Sequence, residues 1–118
     1  MFNFEQLETG HDAIACADLV SPLTRTFPAE ERFGLTHQMR RAAVSIASNL
    51  AEGGSRSSKF DYARFVEIAT GSLFEVVSQA TIGRNQGFLS PSDYEQLYSA
   101  AEQQSRRLSG LRRSLDSA

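Results

Sequence analysis

From Tyr94 to Leu115 the residues Tyr94, Leu97, Ala101, Gln104, Leu108, Leu111 and Leu115 recur at alternating intervals of three and four. That spacing places one side chain per turn on a single helix face, whereas a strand needs intervals of two. Directly before it stands Ser90-Pro91-Ser92-Asp93. Ser90 suits an N-cap, Pro91 suits the first helical position, where its missing N–H is no loss, and Asp93 suits the capping-box position. A long helix with one apolar seam cannot hide that seam alone and must lay it against other helices. The seam, apolar except for Gln104, therefore commits the chain to a bundle, with this helix spanning about 91–115 and Gly110 a point where it can bend.

Three further helical patterns precede it. The first spans about 11–25, with Thr9 and Asp12 in capping-box spacing and Ile14, Ala17, Val20 and Leu23 as its apolar face. Pro22 inside this run either kinks the helix near Leu19 or ends it before its last apparent turn, and the kink is the expectation taken here. Phe27-Pro28 marks a connection, and Pro28 with Ala29, Glu30 and Glu31 reads as a short separate helical turn ended by Gly34. The second helix, about 35–53, carries Leu35, Met39, Ala42, Ile46 and Leu50 on one stripe and stops at Gly53-Gly54. Beside that stripe Ala43, Ala47 and Ala51 form a ridge of small side chains that lets another helix approach closely.

Ser55, Ser57 and Ser58 make a short polar linker, and Ser57 or Ser58 caps a third helix of about 59–86 with Asp61 in its first turn. Its expected inner face is Phe65, Ile68, Ala69, Ser72, Val76 and Ala80, widened by Leu73 and Val77. Gly71 and Gly83 each cost roughly 1 kcal/mol relative to Ala inside a helix, so a close neighbour or a bend should account for them. Gly87 reads as the stop. Short connections between helices bring each one back beside the last, so the expected fold is all-α, an antiparallel up-and-down four-helix bundle. At 118 residues and 13.0 kDa the chain fits one domain over residues 1–118. The wide apolar face of the third helix, with Phe2, Phe4, Phe33 and Phe88, exceeds what one small bundle hides, which predicts self-association.

The segment FPAEERFGLTHQMRRAAVSIASNLAEGGSR, followed by FVEIATGSLFE, resembles the signature of the bacterial four-helix-bundle family of 23S ribosomal RNA intervening-sequence proteins. The resemblance runs from Phe27 through the third helix, with the outer helices matching in pattern. It implies a small up-and-down bundle that assembles as a barrel-shaped homopentamer. Many members are encoded within insertions in large-subunit ribosomal RNA genes. A related branch, the accessory variability proteins of diversity-generating retroelements, forms basic pentamers that bind a reverse transcriptase and nucleic acid. Neither branch is known as enzymatic. Ala47 stands where the family commonly has a proline, which implies a straighter second helix here. This chain is also mildly acidic, with a net charge of −2, unlike the basic retroelement branch.

Charge is unevenly spread. Residues 1–35 hold six acids and two bases, while residues 36–66 hold five bases and two acids. Arg40, Arg41, Arg56, Lys59 and Arg64 thus become the candidate nucleic-acid contacts, since guanidinium groups grip phosphate in bidentate geometry and patches repeated in an oligomer gain avidity. The bland alternative pairs Arg40 and Arg41 with Glu52, Glu67 or Glu75. Arg106, Arg107, Arg112 and Arg113 form a second cluster, which the helix dipole favours without any ligand. Tyr94 and Tyr98 suit packing better than base stacking. Ser45, Ser48, Asn49 and Glu52 form a polar strip read as interhelical or intersubunit hydrogen bonding, with base reading as the alternative. Candidate oligomer-packing residues are Ala43, Ala47, Asn49, Glu52, Phe65, Leu73 and Val77.

Catalytic motifs are sparse. Glu8-Thr9-Gly10-His11 has the Glu-x-x-His spacing of di-iron bundles but occurs once, where two copies and two more glutamates are needed. His37 near Ser45 and Ser48 lacks an orienting acid and a nucleophile-elbow context. Cys16, the single cysteine, cannot form an internal disulfide and reads as a small core residue. Gly53-Gly54-Ser55 follows a helix, and no Gly-Lys-Ser/Thr completes a phosphate loop. No cofactor or metal is expected, no run approaches a membrane span, and the acidic N-terminus lacks a leader's apolar core. These features predict a non-enzymatic cytoplasmic module whose partners are itself, RNA or another nucleic acid, or a protein. In the alternative reading it is a protein-only scaffold whose basic residues make structural salt bridges.

Overall fold

A computed structural model describes residues 2–3 and 7–116, all of whose regular elements are helical. Four α-helices follow in chain order: α1 (Glu8–Leu23), α2 (Leu35–Gly54), α3 (Lys59–Asn85) and α4 (Pro91–Asp116). Two 3-10 turns, Thr24–Thr26 and Ala29–Glu31, lie between α1 and α2. Each helix packs on its chain neighbours, and α4 closes back onto α1, giving an up-and-down bundle of 47 × 23 × 22 Å. Contacts between α2 and α3 set their direction. Positions 53, 45 and 35 of α2 meet positions 65, 72 and 83 of α3, so the two run antiparallel.

Local chemistry explains the boundaries. Ser58 Oγ accepts the Asp61 N–H at 3.0 Å and Ser90 Oγ accepts the Asp93 N–H at 3.1 Å, each capping a helix start. The α3 stop is a Schellman motif. Gly87 adopts φ +81°, the Phe88 N–H reaches the Gly83 carbonyl at 2.8 Å, and the Gly87 N–H reaches the Arg84 carbonyl at 3.0 Å. α1 differs from its sequence reading. It starts at Glu8, with Leu7 rather than Thr9 at the cap, and Thr9 is buried. Pro22 sits one residue before the helix end, where the chain tightens into the 3-10 turn at Thr24.

The core stripes also shift. On α1 the buried residues are Ala13, Cys16 and Val20, and Ile14 faces outward, about 100° around the helix from Ala13. On α3 the stripe runs through Ala63, Val66, Ala69, Leu73, Val76 and Ala80, leaving Ile68 half outside and Phe65 at the rim. Gly53 and Gly54 do not stop α2. They lie within it, and Gly53 is required by packing, because a Cβ there would sit 2.7 Å from Phe65 Cβ. Gly83 serves the same end for Phe27, whose ring lies where a Cβ would meet it at 3.2 Å and which packs on Phe88 at 5.7 Å between centroids. Gly71 has no neighbour within 4 Å and faces solvent. Phe33 is 84% exposed, and Phe4 lies outside the described residues.

Candidate nucleic-acid interface

The antiparallel register divides the five basic residues singled out in the sequence. Arg40 and Arg41 lie on the second turn of α2, whereas Arg56, Lys59 and Arg64 gather around the α2–α3 turn, roughly 20 Å further along the bundle axis. They form two groups rather than one patch. Arg40 is engaged inside the fold. Its Nε donates to Thr24 Oγ1 at 2.9 Å and its Nη2 to the Ser21 carbonyl at 3.3 Å. Thr24 Oγ1 in turn donates to the Val20 carbonyl at 2.9 Å, so Arg40 stitches α2 to the end of α1. Its expected carboxylate partners are not the ones it takes.

Arg41 and Arg64 are exposed, and neither has a polar partner among the described residues. Arg56 lies over the Phe65 ring at 4.8 Å and reaches Glu52 Oε2 at 3.4 Å, a surface pair that leaves guanidinium N–H groups open to a ligand. Lys59 is exposed on the first turn of α3. In the second cluster, Arg107 joins α4 to α1 through Asp12 at 2.7 Å and Glu8 at 3.1 Å. Arg112 pairs with Glu67 at 2.7 Å and with Asp116. Glu8 is therefore an ion-pair partner of Arg107. No group of three or more His, Cys, Asp or Glu among the described residues is placed to hold a metal ion.

The polar strip of α2 turns inward in part. Ser45 and Ser72 share a hydrogen bond of 2.9 Å between α2 and α3, while Asn49 Nδ2 donates to the Ser45 carbonyl at 2.8 Å and to its hydroxyl at 3.0 Å. Asn49 thereby fixes the Ser45 hydroxyl. Beside this bond lies a groove of about 360 Å³, bordered by His37 and Arg41 from α2 and by Glu75 and Gln79 from α3. Arg41 and Glu75 share this groove without forming an ion pair. The sequence reading missed it as a site. Its signal was the recurrence of polar positions at intervals of three and four on both helices: 37, 41 and 45, then 72, 75 and 79.

The residues expected to pack subunits separate likewise. Ala43 and Leu73, each 1% exposed, are core residues of this chain. Ala47, Phe65 and Val77 are half-buried, and Glu52 is exposed beside Arg56. Outward apolar surface on α3 is instead carried by Phe74, at 61% exposure, and, further around the helix, by Ile68 and Ile82. Phe74 also borders a second groove between α3 and α4, of about 210 Å³, with Val77, Tyr98 and Ala101. Cys16 is buried, and loss of hydration pushes its thiol pKa up to about 11, which suppresses thiolate chemistry. No described helix is long and apolar enough to cross a membrane.

An antiparallel four-helix bundle with exposed, scattered arginines and no metal cluster among its described residues defines a class of small helical modules. A family model described as 23S rRNA-intervening sequence protein matches residues 5–110, and the chain belongs to that family. Among solved structures it is similar to a protein of unknown function from the S23 ribosomal protein family of Bacteroides thetaiotaomicron. The TM-score is 0.80 at 17% identity, over 87% of this chain and 96% of that one, a likeness of fold. No curated protein matches the chain.

Proposed function

We propose that this chain is a non-catalytic, self-assembling bundle that contacts RNA through cations repeated around the assembly. The observation that carries this reading is the state of Arg41 and Arg64, both solvent-facing and unpaired among the described residues. Arg56 and Lys59 extend the Arg64 group at the α2–α3 turn. A net charge of −2 disfavours non-specific coating of nucleic acid by a single subunit. Several weak patches on one assembly can still hold one polyanion, because each later contact is made at high effective concentration. Family membership supports an association with ribosomal RNA, and the Phe74 surface of α3 supports self-association, with a homopentamer the expected form.

A protein-only scaffold is the second reading, favoured by Arg40, Arg107 and Arg112, all of which serve internal contacts. Filter binding with ribosomal RNA fragments over a salt series separates the two. An RNA-contacting assembly loses affinity steeply with salt, and replacing Arg41, Arg56 and Arg64 together by Gln flattens that slope. Undetectable binding at low salt by both parent and variant sinks the RNA reading and leaves the scaffold.

A further inference from the structure

Between α2 and α3 the groove beside the Ser45–Ser72 bond has a cation on one wall and acceptors on the other. Arg41 stands on the α2 side, and Glu75 faces it from α3 without pairing. Gln79 Oε1, also on the α3 side, is shielded from solvent and has no hydrogen-bond partner among the described residues. A shielded acceptor ordinarily finds a donor. Gln79 Oε1 lacks one here, at the edge of a space whose volume falls within the range of small-molecule sites.

That arrangement excludes simple occupants. A lone anion satisfies Arg41 but meets the Glu75 carboxylate and leaves Gln79 without a donor. A lone cation meets the converse difficulty at Arg41. An occupant with a negative group at one end and N–H donors at the other satisfies both walls, and His37 stands beside it on the α2 side. A nucleotide has this form. Arg41 takes the phosphate, and the amino group of adenine or cytosine donates to Gln79 Oε1 and Glu75. Amides pair with the adenine N6 edge and carboxylates accept from cytosine N4, while imidazole offers a stacking surface. Uracil presents a carbonyl oxygen at that place, and Glu75 can only accept.

We propose that the α2–α3 groove is a nucleotide subsite selecting adenine or cytosine over uracil, occupied by a residue of an RNA strand or by a free nucleotide. In its RNA form this rests on the RNA-binding function proposed above. The test is fluorescence anisotropy with short RNA homo-oligomers of A, C and U on the full chain. A and C should bind about tenfold more tightly than U. Glu75→Gln, at an exposed position and therefore tolerated by the fold, should recover U binding, because an amide donates to the uracil carbonyl. Gln79→Met should lower A toward U, with circular dichroism reporting that the helices persist. Equal affinity for the three oligomers in the parent chain overturns the subsite and leaves RNA binding standing. If none binds at low salt, RNA binding falls, and titration with AMP and UMP decides the free-nucleotide arm. NMR shifts at His37 and the Gln79 amide with AMP alone keep the groove as a nucleotide site, and their absence overturns it.

Discussion

Single residues decide how closely the helices of this bundle approach one another. Gly53 and Gly71 are both helical glycines, and a helix propensity scale treats them alike. Their surroundings do not, since a Cβ at Gly53 would overlap Phe65 Cβ at 2.7 Å while one at Gly71 meets nothing within 4 Å. Gly53→Ala should therefore destabilise the fold by about 1–3 kcal/mol through overpacking, and Gly71→Ala should stabilise it by about 0.8–1 kcal/mol. Urea unfolding of the two variants measures both, and equal shifts would refute the packing argument. Cys16 supplies a pH test. Its folded pKa of about 11 lies above the ordinary value of 9.0, so its contribution is complete below pH 9 and is lost as pH rises toward 11. Cys16→Ala should lessen the alkaline loss of stability between those values. In the native parent, the thiol should resist thiol-specific alkylation at pH 8 and react once urea unfolds the chain.

At the scale of elements, helix identity was legible in the sequence because caps and periodicity are local. Ser58, Ser90 and the Gly87 stop act within a few residues, and the structure places them where those signals point. Which face of each helix turns inward was less legible, since it depends on partners far along the chain. Ile14 and Ile68 fit their helical spacing yet face outward, displaced by the smaller Ala13 and the better-centred Val66. Arg40 shows the same limit for a candidate site, because nothing local tells that its partner is the Thr24 hydroxyl at the end of α1. The two arginine groups accordingly diverge in expected effect. Arg40→Ala should lower stability by about 1 kcal/mol with RNA affinity retained, while Arg64→Gln should leave the melting temperature unchanged and weaken RNA binding. Thermal melts paired with filter binding on the same preparations measure that crossover.

For the whole molecule, chain length and the four periodic segments sufficed to specify the bundle, whereas the surface left for the proposed self-association depended on knowing which apolar residues the chain buries for itself. Ala43 and Leu73 are consumed by the core, and Phe74, with Ile68 and Ile82, remains on the outside. Phe74→Glu should disperse the assembly while preserving helical content, because a carboxylate on an apolar contact surface resists desolvation. The most direct test of an RNA-contacting assembly is size exclusion with light scattering on the 13.0 kDa chain mixed with a ribosomal RNA fragment, at low and at high salt. Co-elution of RNA with a particle of about five subunits at low salt, and release of the RNA from an intact particle at high salt, is the predicted result. A single-subunit mass that elutes apart from the RNA at both salt concentrations would contradict it.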